Sequence, residues 1–254
     1  RAHLWMQGDD QDRMLQLDPV VAQLSGPLQG GQGRFSLLHL PFSLLALAVP
    51  VPSVLRGAIG ATGSYDLSGA GPLLTTELAL EQARFGDQEL RLERRAVVLS
   101  TKGFELDLAL RSIDAAEALQ VRGTVPLSLR DALDLELESH GDALSFLAAP
   151  AGDALRLTRG ISDLRLLLSG YLDQPQANGF LVIRDGAFTA ADQTLKQVNA
   201  SLLFDFNRVE VSQLEATLAS GGTISAEGAI GLFIPRDEET PLTIRLTKGT
   251  IRQE

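Results

Sequence analysis

The chain has 254 residues, a net charge of −10 and no cysteine, and its apolar mass is aliphatic, with 44% hydrophobic residues but only 5% aromatics. The length suffices for one large domain or two ordinary ones, and the lack of cysteine excludes disulfides, thiolate metal sites and a cysteine nucleophile. The acidic balance argues against nucleic acid, whose phosphates need a basic patch, and against docking a polybasic face on anionic lipid, yet it is compatible with lipid carried inside an apolar groove.

Residues 1–35 read as a polar opening segment. Within it, DDQDRMLQLD is expected to form a short helix, and Leu24 to Arg34 (LSGPLQGGQGR) a loop or strand linker. The most apolar piece, FSLLALAVPVPSVL from Phe42 to Leu55, is too short to span a membrane and is broken by Pro50 and Pro52. From Ser36 onward the hydrophobic period is mostly two, the signature of half-buried strands. Phe104, Leu106, Leu108 and Leu110 alternate with Glu105, Asp107 and Ala109. Leu133, Leu135 and Leu137 alternate with Asp134, Glu136 and Glu138. Leu164, Leu166 and Leu168 continue the pattern, followed by Leu202, Phe204 and Phe206, then Val209 and Val211, then Leu214, Ala216 and Leu218, then Ile224 and Ala226. Two segments compete for helix: a turn around Ala143 to Leu147, and SLRDALDLELESHGDAL from Arg130, whose Leu, Glu and Ala are good helix formers but whose acidic alternation favours a strand. Asn178-Gly179 and Asp185-Gly186 read as hairpin turns. The chain opens on Arg1 with no signal peptide or membrane-spanning run, and PLTIRLTKGTIRQE starts a new strand pair and stops; both suggest a piece of a longer chain.

Reactive constellations are sparse. His3, His39 and His140 lack metal-ligand spacing. Ser53, Ser68 and Ser100 sit in no nucleophile elbow. The carboxylates of DALDLELES fit the wet side of a strand better than a glycosidase pair, and Gly69 to Pro72 is followed by no phosphate-loop lysine. No catalytic residue, metal ligand or cofactor is therefore expected. A loose internal repeat links GSYDLSGAGPLLTTELAL (Gly63 to Leu80) with GYLDQPQANGFLVI (Gly170 to Ile183), as in a sheet that grows in one direction.

The string GFLVIRDGAFTAADQTLKQVNASLLFDFNRVEVSQLEATLASGGTISAEGAIGLF resembles the repeating unit of the TamB family of envelope proteins, related to AsmA-like and bridge-like lipid-transfer proteins. LHLPFSLLALAVPVPSVLRGAIGATGSYDLSG resembles the segment before such a unit in cyanobacterial and chloroplast-envelope members. The resemblance covers Leu37 to Phe233. It implies an all-β fold, an elongated, folded-over antiparallel sheet (a β-taco) with an apolar interior groove, in segments 36–160 and 161–254. It implies a periplasmic or intermembrane-space location, with the full-length protein anchored in the inner membrane, phospholipids as cargo, and an Omp85-type outer-membrane barrel as partner to regions outside this chain.

On that reading the chain is a non-enzymatic stretch of a lipid conduit. Leu106, Leu108, Leu166, Leu168, Leu202, Phe204, Phe206, Val209, Val211 and Ile224 are the residues expected to line its groove. The alternatives are a scaffold for outer-membrane protein assembly, working by strand addition at an open sheet edge, and a structural β-repeat protein with a dry, side-chain-filled interior.

Overall fold

The computed structural model describes residues 2–7, 12–17, 19–27, 30–47, 53–69, 73–145, 155–190, 193–232 and 242–247. Sixteen strands and one short helix follow in chain order: β1 (Ala2–Gln7), β2 (Asp12–Leu17), β3 (Val20–Ser25), β4 (Gln32–Pro41), α1 (Phe42–Leu45), β5 (Leu55–Asp66), β6 (Leu74–Phe85), β7 (Gln88–Leu99), β8 (Gly103–Ser112), β9 (Leu119–Pro126), β10 (Asp134–Gly141), β11 (Leu155–Tyr171), β12 (Gln174–Ala190), β13 (Gln193–Phe206), β14 (Arg208–Leu218), β15 (Thr223–Gly231) and β16 (Thr243–Thr247). The fold is all-β, and strand order follows chain order with no crossover. Such a meander needs only hairpin connections between antiparallel neighbours.

The chain divides into two compact units, residues 1–113 with 122–128, and residues 114–121 with 129–254. The position expected to separate two β segments, residue 160, falls inside β11.

In the first unit the register makes two unlike faces. Gly33, Tyr65, Leu74, Leu99 and Phe104 lie opposite one another in turn across β4 to β8. Phe35, Gly63, Thr76, Val97 and Leu106 form the next row on the same face. The intervening rows turn Ser36, Thr62, Glu77, Ala96 and Asp107 the other way. This is the period-two alternation converted into geometry.

In the second unit, register shifts fall on successive strands: around Gly160 in β11, Asp185 and Gly186 in β12, Gln197 and Val198 in β13, and Ser212 and Gln213 in β14. Bulges bend a strand and raise its twist, so a line of them creases the sheet. Asn199 holds this crease: its Oδ1 accepts from the Asp185 N–H at 3.1 Å, and its side-chain amide donates to the Gln197 carbonyl at 3.1 Å. Ala187, Val198, Ala200, Ala216 and Leu218, beside the shifts, are buried.

Several expectations are corrected. In the described part of DDQDRMLQLD the expected helix is replaced by a strand: Asp12–Leu17 is β2, paired on both sides by β1 and β3, and ladder hydrogen bonds on two edges outweigh a modest helix propensity. The short helix is instead α1, at the start of the apolar run, entered from extended Pro41 at φ −64°. The helix considered from Arg130 gives way to strand β10. The turn expected around Ala143 to Leu147 is present in its described part, where the Ser145 N–H donates to the Asp142 carbonyl, and the rest of it lies outside the described residues. Asn178-Gly179 and Asp185-Gly186 are not hairpin turns, for both lie inside the 17-residue strand β12. Gly179 is needed there because a Cβ would come within 2.0 Å of the Arg165 carbonyl oxygen. The hairpin between β11 and β12 turns instead at Leu172 and Asp173, between the paired Tyr171 and Gln174. Each window of the loose repeat covers one hairpin, β5 to β6 or β11 to β12.

Candidate apolar ligand face

Direct cross-strand pairs place side chains on the same face of a sheet. Followed strand by strand through the second unit, this rule assembles one apolar surface. Leu137 faces Leu166, which faces Gly179, then Phe204, Val209 and Ile230. The neighbouring row runs Leu135, Leu168, Ala177 and Phe206. On the other side lies Ser139, Leu164, Leu181, Leu202, Val211 and Gly228. Beyond the bulge in β14 the face continues through Leu214 and Ala216 to Ala226 and Ile224, and from there to Ile244 and Leu246 of β16.

Every expected groove residue of this unit is therefore on one face: Leu166, Leu168, Leu202, Phe204, Phe206, Val209, Val211 and Ile224. Leu106 and Leu108 belong to the first unit. Leu106 is paired with Val97 in an apolar row, whereas Leu108 is paired with Arg95, an interruption that alternation of the leucines alone does not reveal.

The face is graded in exposure. Val211 and Leu164 are buried, while Leu166, Leu168, Leu202, Phe204, Val209 and Ile224 are half-buried. Phe206 is 53% exposed and Ile230 48%. Phe206 also leaves the regular strand: with φ 56° it begins the two-residue turn between the paired Asp205 and Arg208, so it sits at the rim of the face.

The opposite face of the same strands is mixed: the exposed Leu167, Phe180 and Leu203 lie there among charged pairs. Arg165 donates to Glu136 at 3.2 Å. His140 stands between Asp163 and Glu138, at 3.0 and 3.4 Å, and Arg208 donates to Glu210 at 3.2 Å. Exposed pairs of this kind contribute little stability, about 0–1 kcal/mol each. Their effect is to keep part of this face wet.

Two features were not readable as sites in the sequence. Ser139 lies at the margin of the apolar face, 1% exposed and with its hydroxyl unpartnered; Leu-like periodicity hides it among the leucines. Asp142 gathers three backbone hydrogen bonds, two from the Ala116 N–H at 3.0 and 2.9 Å and one from Glu117 at 3.0 Å. Its role is to anchor the loop before β9, a contact 25 to 26 residues away that local pattern does not encode. Among the described residues no cluster of His, Asp and Glu could hold a metal ion, and no helix is long and apolar enough to cross a membrane.

No family model matches the chain, and no solved structure matches it. Among curated proteins, tRNA pseudouridine synthase B of Mycobacterium leprae is similar, 30% identical over 151 residues, which are 58% of this chain and 46% of that protein. The chain thus spans about half the length of that relative.

Proposed function

We propose that the chain is a non-enzymatic lipid-carrying element, and that the apolar face of the second unit receives phospholipid acyl chains. The observation that supports this most is the half-buried state of its central row. A filled sandwich core would bury Leu166, Leu168, Phe204 and Val209 as completely as Val211, whereas all four keep surface for a further apolar partner. Each methylene of an acyl chain laid there gains ~0.8 kcal/mol on leaving water. From β10 to β16 the face crosses roughly 29 Å at ~4.8 Å per strand, against about 15 Å for one acyl chain, half of the ~30 Å hydrocarbon core. A chain can therefore shift along the face and meet similar aliphatic surface at each position. With the TamB-like motifs, this reading extends to a location between two membranes and to an Omp85-type barrel partner for the longer protein.

A second reading has its own support. Among the described residues strand β16 has one sheet neighbour, its residues are all exposed, and Ile244 is 66% exposed. An open edge of this kind can template a client strand, as a scaffold for outer-membrane protein assembly would require. An RNA-directed activity like that in the relative's name finds little support, because phosphate binding draws on clustered cations and this chain carries a net −10.

Photo-crosslinking in cells separates the readings. A photoreactive residue is placed at Leu166 or Phe204, with Glu136 on the opposite face as control. Lipid captured at the two apolar positions and not at Glu136 supports lipid carriage. Polypeptide captured there supports the scaffold, and silence at all three positions discards the lipid reading.

A further inference from the structure

The connection between β4 and β5 carries an apolar tip that the lipid-carrying face does not use. From Phe35 to Leu55 the sequence holds no Asp, Glu, Lys or Arg, in a chain with 21% charged residues. At the start of this connection α1 is seated by Phe42, which is buried at 5% exposure. Leu44 of the helix is 40% exposed, and Leu47, just beyond its end, 84%. Exposure of that degree in a charge-free connection is unlike the polar loops expected at sheet ends.

Two backbone donors at the tip are satisfied locally. The Ala46 N–H donates to the Phe42 carbonyl at 2.9 Å, and the Leu47 N–H donates to the Leu44 carbonyl at 3.1 Å. These donors are satisfied within the turn, so hydrocarbon around them would leave neither orphaned. At the base, Arg56 lines a hollow together with Phe42, Ala46 and Leu55. Arg56 is exposed and is the first charged residue after the charge-free stretch, and an arginine there can pair with a lipid phosphate. A protein partner for so acidic a chain would be expected to carry a cationic rim, and the tip offers no carboxylate to receive one.

We propose that this tip is a membrane-contact element, in which Leu44 and Leu47 insert into the interfacial region of a phospholipid bilayer with Arg56 at headgroup level. The contact is driven by apolar burial rather than by charge. It uses other residues than the acyl-carrying face and stands or falls without it.

The test uses the whole chain with phosphatidylcholine vesicles. Its single tryptophan, Trp5, is replaced by phenylalanine, and Leu47→Trp supplies the reporter; a second protein carries the reporter at Thr101 instead. Vesicles should shift the emission of the Leu47→Trp protein to the blue, and brominated lipid should quench it, with no change at position 101. The double variant Leu44→Asp/Leu47→Asp should float with vesicles roughly tenfold less or weaker still, while its circular dichroism stays that of the parent. Equal quenching at both positions, undiminished flotation of the double variant, or binding that appears only with anionic lipid would each overturn the proposal. A silent reporter at position 47 would also overturn it and leave the tip to a protein partner.

Discussion

Tyr65 lies directly across the β4–β5 pair from Gly33, and its ring fills the space a side chain there would need. A Cβ at Gly33 would come within 2.2 Å of the tyrosine ring and hydroxyl. Tyr65 is 5% exposed, and its hydroxyl donates to the carbonyls of Ser25 and Pro27, at 3.3 and 3.1 Å. One aromatic thus covers a glycine and fastens the turn between β3 and β4. Gly33→Ala should lower stability by about 1–3 kcal/mol through overpacking against the ring. Tyr65→Phe, which removes only the hydroxyl, should cost about 1 kcal/mol. Urea denaturation of the two variants checks the order, and Gly33→Ala as mild as Tyr65→Phe would refute the close fit.

The Asp142 anchor makes a similar prediction in the second unit. Its carboxylate takes the N–H groups of Ala116 and Glu117, and charge-assisted bonds to backbone contribute about 1.5–3 kcal/mol. Asp142→Ala should lose about 2 kcal/mol, and Asp142→Asn less, because the amide oxygen still accepts. Amide hydrogen exchange at Ala116 and Glu117 reads the effect locally: both should exchange faster in Asp142→Ala while Leu166 and Phe204 keep their protection.

The strand content and the two-faced pattern were legible because alternation writes the face of each side chain directly into the sequence. Leu166 and Leu168, or Leu202 and Phe204, needed no more than that to be placed together. The crease was not legible. Outside glycine its left-handed positions are Asp185 and Gln197, with φ of 49° and 51°, and neither carries the glycine signal that usually marks such a bend. Conversely, Asn178-Gly179 carries a hairpin signal but lies within a strand, because Gly179 answers to the close approach of Arg165 rather than to a turn. Leu108 shows the same limit of local pattern, since its neighbour Arg95 is fixed by a register shift between Leu92 and Arg94.

The crease residues should therefore tolerate glycine. For Gln197, escape from a left-handed conformation favours glycine by about 1–2 kcal/mol, and the greater unfolded-state freedom of glycine returns about 0.5–1 kcal/mol. Gln197→Gly should then be neutral to stabilising, by up to about 1.5 kcal/mol. Gln197→Val, with a β-branched side chain at positive φ, should be clearly destabilising. Thermal denaturation of the pair provides the comparison, and a lower Tm for Gln197→Gly than for Gln197→Val would remove strain as the distinguishing feature of this position.

Asp66 supplies a pH prediction in the first unit. The Ser68 hydroxyl and N–H donate to its carboxylate, at 2.5 and 2.8 Å, and the Gln32 amide at 2.8 Å. These bonds, those of Ser68 foremost, hold its pKa below the usual aspartate value. A folded-state pKa below the unfolded one stabilises the fold above the unfolded value, and that stability is lost as pH falls through the folded value. Ser68→Ala should move the Asp66 titration upward, toward the usual aspartate range, and flatten the loss of stability in acid. Carboxyl NMR titration follows the group directly, and an unchanged Asp66 titration in Ser68→Ala would show that the serine is not its main partner.

Adjacent residues on β13 give the sharpest test of the acyl-carrying face. Phe204 pairs with Gly179 and Val209 on the apolar face, while Leu203 pairs with Phe180 and Glu210 on the opposite one. The two share a strand and similar apolar bulk, and Leu203 is 47% exposed. Phe204→Asp places a charge where acyl methylenes would lie, and an unpaired charge in an apolar setting costs several kcal/mol. Acyl-chain capture should fall at least about tenfold, the effect of ~1.4 kcal/mol. Leu203→Asp adds the same charge to a face already carrying Glu210 and Asp205, so capture should stay near that of the parent. Leu166→Asp should behave as Phe204→Asp does, since the two lie in one row separated by Gly179. A binding assay with a photoreactive phospholipid, run with circular dichroism to confirm that all three variants keep their strands, reads the contrast. Equal loss in Phe204→Asp and Leu203→Asp would mean that the two faces are not functionally distinct, and full capture by Phe204→Asp would remove this row from any path the lipid takes.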